Sequence, residues 1–305
     1  MIKKLDSAAL MRGLDVASML HEAPPLDPAQ MIKERVDLPQ ALGALEVYRP
    51  ADARYRNDDP QAPALVMVPG LGADGVSWLR QLPLGALADL YSPQHPPKLA
   101  AGEKGLGQFA RYIEAFIEAR GLHRRPGGVV LLGSSMGGAV SLCTALRGRI
   151  PLRGLILAGT FGHRRHLSWF DRNLGRYVAR VMPAAIIRAA GRVMVRKTKL
   201  FGCFEGDEGS FMVHGINVCS GEYLVKAVAA ITTQEQVEAA RELKLPTLVT
   251  HGTLDWVLPH RCAEELAAAI PGAKLASIEG GGHAFFFTHH REFNAAVARW
   301  LVELP

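Results

Sequence analysis

The clearest pattern along the chain is a set of short apolar runs that each end in glycine. Ala64-Leu65-Val66-Met67-Val68-Pro69 runs into Gly70-Leu71-Gly72. Val129-Val130-Leu131-Leu132 ends at Gly133, Leu155-Ile156-Leu157-Ala158 at Gly159, and Thr247-Leu248-Val249-Thr250 at His251-Gly252. Continuous runs without polar alternation suit strands buried on both faces. Lys274 to Glu279 reads as a further, more exposed strand, and residues 43–50 as a short one. Helical patterns lie over Phe109–Arg120, Ala139–Leu146 and Ala263–Ala269. Strand, helix, strand in repetition predicts an α/β fold, with a mostly parallel twisted sheet flanked by helices.

The rhythm stops at Phe161 and resumes after Leu245. Within this insert, Arg172, Arg176, Arg180 and then Arg188, Arg192, Arg196 recur at helical spacing among apolar residues, with Pro183 between the two groups. That spacing predicts two short amphipathic helices. At the other end, Leu10, Leu14, Ala17 and Leu20 form a helical stripe, which Pro24, Pro25 and Pro28 bring to a stop. The expected organisation is an N-terminal helical extension and linker (1–42), a core (43–160 plus 245–305) and a helical cap (161–244).

Composition narrows the function classes. The chain has 305 residues, 49% hydrophobic and 21% charged. That is ordinary globular composition, and it excludes disordered, collagen-like and coiled-coil chains. No run approaches the roughly 18 apolar residues of a spanning helix. Lys3 and Lys4 resemble the start of a signal peptide, but Asp6, Arg12 and Asp15 interrupt any apolar stretch. Four scattered cysteines without a CxxC argue against a disulfide scaffold or a cysteine zinc site, so the expected compartment is the cytoplasm. The net charge is +6, yet ten basic residues and one acid fall between Thr160 and Leu200. The remainder is slightly acidic, so no nucleic-acid partner is implied. The basic insert reads either as solvated arginine faces or as a surface for an anionic membrane or an acidic substrate.

The sharpest chemical signal is Gly133-Ser134-Ser135-Met136-Gly137-Gly138, between an apolar strand and an alanine-rich helix. G-x-S-x-G at such a turn is the nucleophile elbow, and the register selects Ser135, because Ser134 would need glycine where Leu132 stands. At this turn no Lys-Ser or Lys-Thr follows for a phosphate loop, and the turn itself does not read G-x-G-x-x-G. The Met136 N–H opens the next helix, where a developing oxyanion is stabilised. The glycines around Leu71 let a second backbone N–H approach, so Leu71 is the other candidate donor.

A serine nucleophile needs a base, and the base needs a carboxylate. Asp255 follows a core strand at the sheet's carboxyl edge, where open α/β sheets place their sites. His283 sits behind Gly280-Gly281-Gly282, a loop able to bend back over the strand ends. His251 is an alternative base but reads better as a support for the Asp255 loop. Glu279 is the competing carboxylate. His289 and His290 open a terminal helix and read as surface. No H-E-x-x-H or comparable cluster suggests a metal.

With these motifs in place, the chain resembles the α/β-hydrolase superfamily over about residues 45–160 and 245–305. The resemblance implies a Ser135–His283–Asp255 triad, Leu71 and Met136 as oxyanion donors, and no cofactor. It departs from the family in carrying Pro69-Gly70 where His-Gly is usual, and in a blurred loop from Ser92 to Gly107. Many members are esterases, lipases, thioesterases or C–C bond hydrolases. The expected substrate is a small-molecule carboxylic ester with an apolar acyl chain. An acyltransferase would use the same triad, and a non-catalytic ligand-binding relative is the other class. Ala284-Phe285-Phe286-Phe287, beside the base, suggests an apolar acyl pocket.

Overall fold

The computed structural model describes residues 20, 22–39, 42–96, 99, 100, 102–167, 169, 172, 173, 189 and 220–305. Eight strands form one sheet: β1 (Met31–Asp37), β2 (Ala44–Pro50), β3 (Ala64–Val68), β4 (Asp89–Pro93), β5 (Val129–Ser134), β6 (Gly154–Ala158), β7 (Thr247–Gly252) and β8 (Lys274–Ile278). Their order is β1-β2-β4-β3-β5-β6-β7-β8. The pairs β1–β2 and β2–β4 are antiparallel, and every pair from β4 to β8 is parallel. The main helices are α1 (Gly107–Ala119), α2 (Met136–Arg147), α3 (Gly221–Ile231), α4 (Arg261–Ala269) and α5 (His290–Val302).

The apolar runs do what continuous burial predicts, with alternate residues feeding opposite layers. Val66, Val68, Leu131, Leu155 and Leu157 join one core with Phe109 and Phe116 of α1, Val140 of α2 and Leu266 of α4. Leu65, Met67, Val130, Leu132 and Ile156 join the other with Trp78, Phe293, Val297 and Trp300. The sheet is therefore sandwiched, and its carboxyl edge is left to the loops.

Two strands carry no apolar signature. β1 is an edge strand with only Met31 and Val36 buried, its charges facing outward as edge strands favour. The sheet thus begins at residue 31, inside the stretch expected as extension and linker. β4 is an interior strand that starts on a buried acid, Asp89. Arg49 and Arg125 reach the two carboxylate oxygens at 2.5 and 2.8 Å, and the Tyr91 hydroxyl donates at 2.7 Å. This pairing offsets the cost of burying a charge.

The expected helix in residues 1–19 and the amphipathic arginine helices of 169–195 lie outside the described residues, apart from a few isolated positions. The described end of the insert packs onto the core. Tyr223, Leu224, Ala227 and Ala230 of α3 belong to the same apolar cluster as α1 and α2. Gln234 donates to the Phe161 carbonyl, joining the two ends of the insert, and Gln236 donates to the Ala139 carbonyl, tying that junction to α2.

Candidate active site

Ser135 sits between β5 and α2 with φ 53° and ψ −121°, the one non-glycine with positive φ among the described residues. Such backbone costs about 1–3 kcal/mol and persists only when its surroundings over-determine it. Here they do. The Ser135 N–H donates to the Ala158 carbonyl at 2.9 Å. Its carbonyl accepts from Gly138 and Ala139 N–H groups and, at 2.6 Å, from the Thr160 hydroxyl. The flanking glycines are sterically required. A Cβ on Gly133 would lie 2.3 Å from the Gly137 oxygen, and one on Gly137 would lie 2.1 Å from the Val68 oxygen.

The three residues singled out by sequence converge. His283 Nε2 lies 3.0 Å from Ser135 Oγ, and His283 Nδ1 lies 2.8 Å from Asp255 Oδ2. A carboxylate only accepts, so Nδ1 carries the proton and Nε2 is left to accept from the serine hydroxyl. The two loops are fastened together, since the Leu254 N–H donates to the Gly281 carbonyl at 2.9 Å.

Asp255 is buried and heavily solvated by the protein. The Val257 and Leu258 N–H groups each donate to Oδ1 at 2.9 Å. Burial raises its pKa, but the facing His283 and the hydrogen bonds from His251, His283 and Leu258 outweigh that and hold the carboxyl well below the usual range.

His251 is not on the relay. Its ring is fully buried, and Nε2 donates to the Leu258 carbonyl at 2.8 Å while lying 3.3 Å from Asp255 Oδ2. It braces the turn that presents Asp255. Glu279 is exposed and the structure does not bring it to His283. His289 and His290 are half-buried rather than on the surface, and burial lowers the His290 pKa.

Pro69-Gly70-Leu71 lies against the nucleophile. A Cβ on Gly70 would meet the Ser135 Cβ at 3.4 Å, so this strand end and the first turn of α2 flank the serine. Met136 is the first residue of α2, so its N–H has no intrahelical acceptor. Thr160 and the buried His95, whose Nε2 donates to the Pro69 carbonyl at 2.8 Å, were not legible as site residues. Neither sits in a motif, and only the fold brings them here.

The phenylalanine run does not line a pocket. Phe285, Phe286 and Phe287 are core residues, packed with Trp78 and Phe293. Exposed apolar side chains occur instead on the loop that carries Asp255, where Leu254, Trp256 and Val257 are 66%, 50% and 40% exposed. A cavity of about 320 Å³ opens elsewhere, lined by Tyr48, Gln94, His95 and Tyr223 among others.

A mostly parallel sheet with an elbow serine, a glycine-loop histidine and a strand-end aspartate defines an α/β-hydrolase. More closely, the chain belongs to the serine aminopeptidase S33 family, whose model matches residues 100–289 and so spans Ser135, Asp255 and His283. It is similar to the polyketide synthase ThaQ of Burkholderia thailandensis, 27% identical over 262 residues, which cover 80% of this chain but 12% of that much longer protein. It is also similar to RutD of Cronobacter sakazakii, provisionally assigned as a carbamate hydrolase, at 24% identity over 80% of this chain and 92% of that one. Among solved structures, a thermophilic esterase from Thermogutta terrifontis shares the fold with a TM-score of 0.71 and 21% identity, covering 90% of this chain and 99% of that one.

Proposed function

We propose that the protein is a serine hydrolase that cleaves carboxylic esters with apolar acyl chains. The observation that carries this reading is the unbroken hydrogen-bonded path from the strained Ser135 through His283 to Asp255. Ser135 Oγ attacks the ester carbonyl carbon as its proton passes to His283 Nε2. Asp255 holds the imidazole in the required tautomer and stabilises the imidazolium. The oxyanion is received by the N–H groups of Leu71 and Met136. As the tetrahedral intermediate collapses, His283 returns the proton to the leaving alkoxide. Water, deprotonated by the same nitrogen, then attacks the acyl-enzyme and releases the acid and free Ser135. Leu254, Trp256 and Val257 favour an apolar acyl chain, because their exposed surface lies on the loop of the catalytic acid.

The similarity to RutD favours a second reading, attack on a carbamate carbonyl by the same serine. A substrate panel separates the two. It comprises p-nitrophenyl esters of increasing acyl length, a matched thioester, a p-nitrophenyl carbamate and an aminoacyl p-nitroanilide, each with and without an added alcohol acceptor. The expected result is the highest kcat/KM on an ester of intermediate or long chain, with free acid as product. A higher value on the carbamate or the anilide overturns the ester reading. Acyl transfer to the alcohol in place of free acid would make the enzyme a transferase.

A further inference from the structure

We infer that His95 is a positioning residue for the oxyanion hole, fixing through the Pro69 carbonyl the direction in which the Leu71 N–H points. This rests on the reading of Ser135 as a nucleophile and extends it to a residue outside every motif.

Gly70 is the pivot of this strand end. Without a side chain, its backbone has more freedom than any other residue's. Each peptide group is planar, so fixing a carbonyl oxygen fixes the N–H on the opposite side of the same bond. Two peptide planes meet at Gly70, and both are pinned. The Pro69 carbonyl, in the first plane, accepts from His95 Nε2 at 2.8 Å. The Gly70 carbonyl, in the second, accepts from the Ala73 N–H at 3.2 Å. The N–H partner of the Gly70 carbonyl belongs to Leu71, the proposed donor. Losing His95 would release the first plane and leave the second held by the Ala73 bond alone, at a glycine whose backbone gives least resistance to drift. The Pro69 oxygen also faces α2 closely, since a Cβ on Gly137 would come within 2.5 Å of it. The carbonyl is thus held between the imidazole and the helix that carries Met136.

His95 is itself immobilised. Its ring meets Phe109 edge-on with centroids 5.9 Å apart, and Tyr223 of α3 at 5.3 Å. Burial pushes its pKa down to about 4, against the opposing effect of the Pro69 hydrogen bond. The imidazole therefore stays neutral at ordinary pH, with its one proton committed to Pro69 by a carbonyl that only accepts. A neutral donor fixes the strand end without adding a positive charge there. Tyr223 carries the contact into the insert, so α3 braces the same carbonyl from outside the sheet.

The test compares His95→Phe, which keeps the ring packing but loses the donor, with His95→Gln, which keeps a donor at similar reach. In His95→Phe, kcat on the best p-nitrophenyl ester should fall about 10- to 100-fold with KM within about twofold, short of the 10²–10³-fold loss for deleting an oxyanion donor outright. Affinity for a trifluoromethyl ketone should weaken in parallel. His95→Gln should recover most of kcat even if its thermal midpoint is the lower of the two. An unchanged kcat in folded His95→Phe, or a loss that His95→Gln does not recover, overturns the inference. Should His95→Phe not fold, imidazole NMR of the wild type decides. An exchange-protected His95 Nε2–H that shifts when the ketone adds to Ser135 supports the inference, and a resonance that does not move overturns it. If wild-type Ser135 reacts with neither ketone nor ester, the reading of the site fails, and the inference with it. If it reacts normally and the variants match it, the inference alone fails.

Discussion

His283 Nε2 stands 3.0 Å from Ser135 Oγ although 148 residues separate the two in sequence. That approach joins the end of β5 to the loop after β8 across three strand boundaries, and it requires the Gly280–Gly282 loop to bend back over the strand ends, where the Leu254–Gly281 and His283–Asp255 bonds hold it. Any change that moves one strand end relative to the other is felt at this hydrogen bond.

Asp255→Asn should leave the fold intact and cost about 10³–10⁴-fold in kcat. An amide can donate to Nδ1 and so favour the tautomer with its proton on Nε2, which then cannot accept from Ser135. Steady-state kinetics on a p-nitrophenyl ester measures this. A loss below about tenfold would mean that the carboxylate does not set the tautomer.

The same carboxyl links stability to pH. Its pKa is depressed in the folded protein. Its contribution is therefore fully present above the unfolded value, about 4, and is lost as pH falls below that toward the folded pKa. The difference in thermal midpoint between wild type and Asp255→Asn should be constant from pH 7 to 5 and shrink between pH 4 and 2.5. A gap that widens on acidification would contradict the assignment.

Gly137→Ala should destabilise far more than an ordinary glycine-to-alanine change. The new methyl group meets the backbone oxygen of Val68 at 2.1 Å, and backbone has nowhere to rotate. A loss of about 3 kcal/mol or more in urea unfolding is expected, at the upper end for single substitutions. A change within about 0.5 kcal/mol would show that β3 and α2 have slack here.

Asp89→Ala should cost about 3–5 kcal/mol, because it leaves the guanidinium groups of Arg49 and Arg125 largely buried without their shared carboxylate. Ester turnover per folded molecule should be unchanged, since this pairing lies at the amino end of β4. A wild-type midpoint with reduced turnover would reverse that assignment of roles.

The core sheet and the site were legible to different depths. Ser135, Asp255 and His283 were readable because each is announced locally, by an elbow, a strand end and a glycine loop. The buried strands β3, β5, β6 and β7 were readable because residues that face two cores must be apolar on both sides. β1 and β4 were not, since one is a charged edge and the other opens on Asp89, whose charge is matched by arginines 40 and 36 residues away. The Phe285–Phe287 run misled because an apolar pocket and an apolar core share one composition, and only packing against Trp78 and Phe293 tells them apart. His95 left no trace in the sequence, because its meaning lies in a carbonyl 26 residues upstream.

Whether Ser135 is an activated nucleophile is read out by intact-mass analysis after treatment with a fluorophosphonate. One adduct is expected on the wild-type protein, mapped to Ser135 and absent from Ser135→Ala, together with loss of ester turnover as the adduct forms. No adduct, or one that persists in Ser135→Ala, would contradict that role.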